Sequence, residues 1–193
     1  HCATKDFALQ RSNSLSLSGW QNLHQKIAGR LDEIQPGLED LVRDELDFAA
    51  QHFGVKNALP QGIIHADLFP DNVFFEGDHV SGVIDFYFAC NDALAYDVAI
   101  TLNAWCFEAR GEFSPTKSAL LLQHYQKQRA FTLEEKAAFP TLLRGAALRF
   151  LLTRAHDWLH RDVTALVRPH DPLEYAAKLR FHQRVNQVSE YGL

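Results

Sequence analysis

Across most of the chain apolar side chains recur at helical spacing, but between Gly62 and Phe86 they do not. That break constrains the fold more than any other feature of the sequence. Gly62-Ile63-Ile64-His65 is short, rich in β-branched residues and bounded by Pro60 and Gly62; Val73-Phe74-Phe75 is similar. Glu76-Gly77-Asp78-His79 has the composition of a turn, and Val80–Phe86 that of the strand returning from it. These segments predict a small antiparallel hairpin, which is about all the sheet the chain supports. Upstream, Leu23, Ile27, Leu31 and Ile34 recur at spacings of four, four and three, on one helical face. Pro36-Gly37 interrupts that face. Leu38, Leu41, Val42, Leu46 and Phe48-Ala49 resume it, as a second helix or the far half of a broken one. Downstream of Asp92, helices are predicted near 94–109, 115–129, 133–160 and 172–189. Ser114-Pro115 marks one start, and Thr132 with Glu135 three residues on marks another as a capping box. The fold class is α+β, mainly helical around a hairpin, and 193 residues suit one domain.

Composition narrows the function. A net charge of -5 argues against a general nucleic-acid binder. No apolar run reaches the ~18 residues of a membrane-span candidate, and no secretory pattern opens the chain. Cys2, Cys90 and Cys106 are odd in number, far apart and without metal-ligand spacing, as expected of free thiols in a reducing compartment. The cytoplasm is the expected location. His156 and His160 stand four apart but lack the rest of a zinc-binding pattern.

The chemistry is concentrated in His65-Ala66-Asp67-Leu68-Phe69-Pro70-Asp71-Asn72, followed across the hairpin by Val83-Ile84-Asp85-Phe86. A phosphoryl acceptor hydroxyl needs a carboxylate to orient it and take its proton, and Asp67 suits that. Nucleotide phosphates need a divalent cation to screen them, and Asn72 and Asp85 offer the oxygens that hard magnesium prefers. A hairpin brings these two close although they are distant in sequence. His65 suits a structural role beneath the loop. The bland alternative is a polar turn, since turns favour Asp and Asn. The whole set matches the protein-kinase pattern H-R-D-x-x-x-x-N and D-F-G, with Ala66 in the second position and Tyr87 in place of the glycine.

The alanine form, with Asp92 and Asp97 downstream, resembles the aminoglycoside phosphotransferase and choline kinase superfamily. Within it the chain is most similar to bacterial homoserine kinases. The residues are Leu59–Phe75, Gly82–Cys90 and Tyr96–Cys106, with Arg129–Thr132 and Arg144–Arg154. The resemblance implies the C-terminal, catalytic lobe of a protein-kinase-like fold across residues 1–193. It implies Asp67 as base, Asn72 and Asp85 as ligands of Mg2+, and Asp97 as the group that holds the loop by accepting backbone N–H bonds. On residues alone Asp97 reads equally as a helix-start acid. The implied reaction is ATP-dependent phosphorylation of L-homoserine to O-phospho-L-homoserine in threonine biosynthesis. ATP and homoserine are the implied partners, without nucleic acid or membrane.

A homoserine site should offer Arg to the carboxylate, because its planar fork binds two oxygens. Arg144, Arg149 and Arg154 lie on one long helix and are candidates, with solvated arginines as the alternative. Asp92 or the face of Trp105 would meet the ammonium, and Asn103 either end; Trp105 reads equally as core. A kinase of choline or of an aminoglycoside, a non-catalytic kinase-like binding module, and a metal-dependent hydrolase are the competing readings. The family's amino-terminal lobe, with a phosphate-covering loop and a lysine–glutamate pair, has no match before His65, and the sequence opens on His1 rather than Met. The expectation is therefore a segment with little or no activity alone, and an exposed apolar surface where that lobe would sit.

Overall fold

The first helical region is two helices, divided at a glycine. In the computed structural model, which describes residues 1–161 and 168–193, α1 spans Leu17–Ile27 and α2 spans Leu38–His52. Gly37 caps α2 with φ of 81°, in the left-handed region where a Cβ is penalised. Leu31 lies in a short 3-10 turn, Leu31–Glu33, rather than on a continuous helix face, yet it is buried like Ile27.

Four strands follow: β1 (Gln61–Ile64), β2 (Val73–Glu76), β3 (His79–Val83) and β4 (Cys90–Ala93). β2 and β3 form the expected hairpin, with a bulge between Phe74 and Phe75. β1 does not join it. It pairs antiparallel with β4, Ile64 opposite Cys90 and Gln61 opposite Ala93, in a second two-stranded sheet that the sequence does not predict. Cys90-Asn91-Asp92-Ala93 contains two residue types depleted in strands, and its pairing with β1 overrides that preference. The returning strand also stops at Val83, short of Phe86. Asp85 turns left-handed, at φ 60° and ψ 60°, and Phe86–Phe88 forms a 3-10 turn.

The C-terminal half is α3 (Leu94–Trp105), α4 (Pro115–Gln128), α5 (Leu133–Leu159) and α6 (Leu173–Arg184). α3 ends four residues early because the chain turns at Cys106 into a bridge between Phe107 and Phe113. α6 stops at Arg184, and a separate 3-10 turn covers Val188–Tyr191. The Thr132 hydroxyl accepts the Glu135 N–H at 3.1 Å, and the Glu135 carboxylate accepts the Thr132 N–H at 2.9 Å, closing the capping box of α5. α5 is buried around most of its circumference between Leu142 and Leu152 and packs against α3, α6 and α1. That is the pattern of a central rather than a surface helix. Gly145 permits a further contact, with Phe53 at the end of α2: a Cβ there would run into the Phe53 ring. Phe53 in turn packs tilted against Trp20 at 4.5 Å and meets Tyr96 edge-on at 5.4 Å, so α1, α3 and α5 share one core.

The hairpin is the least covered part of the molecule. Phe74, Phe75, Val80, Val83, Ile84, Phe86 and Tyr87 are all exposed. Among the described residues no helix is long and apolar enough to cross a membrane.

Candidate active site

The loop after β1 is held in a conformation that a chain adopts only under constraint. Ala66 has φ of 63°, the left-handed region, and its methyl group is buried. Short, unbranched Ala fits where a long side chain would have no room. Three hydrogen bonds supply the constraint. Because β4 runs directly into α3, the first turn of α3 sits against the end of β1. There the Asp97 carboxylate accepts the His65 N–H at 3.1 Å and the Ala66 N–H at 2.7 Å. The Ala66 carbonyl accepts from Arg149 of α5. Burial pushes the Asp97 carboxyl above its ordinary range, and the two backbone N–H bonds oppose that shift. His1 also reaches Asp97, with Nε2 3.0 Å from Oδ2 and Nδ1 2.8 Å from the Tyr125 hydroxyl. Nothing in the local sequence signals that contact.

His65 joins the two halves of the constellation. Its Nδ1 accepts the Asp67 N–H at 3.2 Å, so Nε2 carries the hydrogen and donates to the Ile84 carbonyl at 2.9 Å. The imidazole ties the Asp67 loop to the residue before Asp85. Asn72 donates Nδ2 to the Asp67 carbonyl at 2.8 Å, and its own carbonyl accepts the Ile84 N–H at 3.0 Å. The Asn72 Oδ1 remains without a partner among the described residues. Asp85 is exposed; its carboxylate accepts only the Tyr87 N–H, at 3.4 Å, and has no cation within ion-pair distance among the described residues.

Asp67, Asn72 and Asp85 line one cleft of about 360 Å³, together with Arg149, Phe88 and Phe150. Burial raises the Asp67 pKa; the Arg149 guanidinium opposes the shift and the Asp85 carboxylate adds to it. A half-buried carboxylate of raised basicity beside the unpartnered Asn72 Oδ1 and the exposed Asp85 carboxylate can position a hydroxyl, accept a proton and help hold a hard cation. Among the described residues no group of three or more His, Cys, Asp or Glu could hold a metal ion. A cation here would need waters or phosphate oxygens as well.

Four of the anticipated acceptor contacts lie elsewhere, each for a definite reason. Arg144 is off the cleft, with Nε and Nη2 bonded to the buried Glu45 carboxylate at 2.8 and 2.7 Å. Asp92 is buried against Lys56 at 2.5 Å and also accepts from Asn13 at 2.8 Å, so it has little left to offer an ammonium. Asn103 is fully buried; its Nδ2 donates to the Leu143 carbonyl and its Oδ1 accepts from His182. Trp105 donates its indole N–H to the Leu68 carbonyl at 2.8 Å and buttresses the loop from outside the cleft. Arg149 and Arg154 do reach it. Sequence reasoning missed Thr153 and Asp157, which line the same wall. They follow Arg149 at successive intervals of four, a spacing that places all three on one helical face.

The fold and the cleft define a kinase-like lobe: a solved choline kinase from Cryptosporidium parvum superposes with a TM-score of 0.61 at 13% identity, over 93% of this chain and 59% of its own. At that identity the likeness concerns the fold alone. Residues 2–131 match the phosphotransferase enzyme family, and the chain belongs to it. A protein of Rhizobium rhizogenes named homoserine kinase is 56% identical over 193 residues, and one of Rhodopseudomonas palustris is 57% identical over 194. Both alignments cover 100% of this chain but only 60% and 59% of the relatives, so the chain spans about three fifths of their length.

Proposed function

We propose that residues 1–193 form the C-terminal catalytic lobe of an enzyme that phosphorylates the hydroxyl of L-homoserine with ATP, a step of threonine biosynthesis run in the cytoplasm. The observation that carries this reading is the convergence of Asp67, Asn72 and Asp85 on one cleft, in a chain more than half identical to proteins named homoserine kinase. In this reading Asp67 orients the acceptor hydroxyl and takes its proton as the new O–P bond forms and the bond to the leaving diphosphate breaks. Asn72 Oδ1 and the Asp85 carboxylate would hold Mg2+; their all-oxygen chemistry and the absence of any cation paired with Asp85 among the described residues fit it. Magnesium, when bound, screens the charge of the phosphates. His65, Asp97 and Trp105 keep the Asp67 loop in its left-handed turn. A second lobe would complete the grip on ATP, and the exposed apolar hairpin supports its docking there.

The test is ADP release by the full-length protein with Mg2+ and ATP, offering homoserine, choline and an aminoglycoside separately. Homoserine should support turnover, and Asp67→Asn should lower kcat about 10³-fold, within the range for a lost general base. Release with choline instead would retain the chemistry and refute the substrate. Undiminished kcat in the Asp67 variant would refute the base.

A further inference from the structure

Three arginines of α5 differ in their partners. Arg144 is neutralised by Glu45 at 2.7 Å, and Arg154 shares the Glu174 carboxylate, at 2.6 Å, with Lys178. Arg149 has no carboxylate within ion-pair distance among the described residues, although it is the most deeply buried of the three at 1% exposure. Its single hydrogen bond runs from Nη1 to the Ala66 carbonyl. Nε is buried without a partner, and Nη2 makes no hydrogen bond. The guanidinium is nevertheless held firmly, 4.5 Å from the Phe150 ring centroid and 5.3 Å from that of Phe88, and all three residues line the cleft. A buried, oriented cation without a counter-ion is costly to maintain. A planar fork with unused N–H groups is half of a bidentate oxyanion pair.

We propose that Arg149 is the anion-recognising group of the acceptor subsite, so that the cleft selects alcohols bearing a carboxylate over cationic alcohols. This rests on the kinase reading above and adds the residue that decides the substrate class. Arg149 bonds the carbonyl of Ala66, the residue before Asp67, which puts the anion site next to the base. In a four-carbon hydroxy amino acid the hydroxyl and carboxylate are about 5 Å apart at ~1.5 Å per bond, a span that suits neighbouring groups. The alternative source of an oxyanion is the transferring phosphoryl group. Arg149 comes from a different element than the loop bearing Asn72 and Asp85, which favours the acceptor.

The experiment uses the full-length enzyme and two acceptors, homoserine and 3-aminopropan-1-ol, the same skeleton without the carboxylate. The ratio of their kcat/KM values is measured for the wild type, Arg149→Gln and Arg149→Lys. Wild type should favour homoserine by about 10²-fold or more, and Arg149→Gln should abolish most of that preference through the KM for homoserine. Arg149→Lys, which keeps the charge without the fork, should restore part of it. An equal loss with both acceptors, or a rise confined to the KM for ATP, overturns the proposal in favour of a phosphoryl or purely structural role. The ratio is insensitive to a general loss of active protein. Homoserine binding to Asp67→Asn enzyme, followed by calorimetry, separates the two claims. Binding that Arg149→Gln weakens upholds the subsite even if homoserine turnover is absent; no binding at all overturns it.

Discussion

Lowering the pH from 7 to 5 should remove about 2 kcal/mol of folding stability through one imidazole, that of His182. His182 is 1% exposed, with Nε2 2.8 Å from Asn103 Oδ1 and Nδ1 3.0 Å from the Tyr191 hydroxyl. An amide oxygen only accepts, so Nε2 carries the hydrogen and Nδ1 accepts from the phenol. A proton can enter only at Nδ1, against the Tyr191 hydrogen and in the field of Lys178 and Arg144. Burial, with those two cations, depresses the pKa from 6.5 to about 3. The unfolded chain therefore takes up a proton below pH 6.5 that the folded protein refuses. The stability from His182 is complete above 6.5 and is lost as pH falls toward 3. At pH 5, 1.5 units below the unfolded value, the loss is about 2 kcal/mol at ~1.4 kcal/mol per unit. Urea unfolding at pH 7, 6 and 5 measures it, with His182→Gln as the reference that cannot titrate. The wild type should lose about 2 kcal/mol more than the variant between pH 7 and 5. Parallel curves, or an imidazole titrating near 6.5 in the folded protein, would refute the reasoning.

Three further outcomes are expected. Arg144→Ala should cost about 3 kcal/mol in urea unfolding, because it strands the buried Glu45 carboxylate, with the KM for the acceptor little changed; a raised KM at unaltered stability would return Arg144 to the substrate site. Gly145→Ala should cost about 1–3 kcal/mol in the same assay, since the new methyl group meets the buried ring of Phe53; a neutral result would mean that α5 and Phe53 separate freely. Residues 1–193 alone should turn over at least about 10³-fold more slowly than the full-length enzyme, for want of the remaining phosphate contacts; comparable rates in the ADP-release assay would disprove the need for a second lobe.

Local chemistry made much of this molecule legible. The break at Pro36-Gly37, the β2–β3 hairpin and the Thr132–Glu135 cap all depend on neighbours within a few residues, where φ preference and short-range hydrogen bonds dominate. β4 was not legible, because its Asn91 and Asp92 become strand only through pairing with β1. The substrate contacts were harder for a related reason. A polar side chain near a site can point at a ligand or at a buried partner, and spacing does not distinguish the two. Glu45, Lys56 and His182 claim Arg144, Asp92 and Asn103 from separate parts of the chain.

By itself the sequence determined the chemistry available, an Asp–Asn–Asp set at fixed intervals around a hairpin, because those intervals follow from local backbone geometry. Only the tertiary structure decided which charges were already neutralised. Arg144 and Arg149 are the same residue type on the same helix, five positions apart, but a buried Glu45 waits for one and an open cleft for the other. Ion pairing depends on distance in space, and that distance is set by how α2, α5 and the Asp67 loop pack.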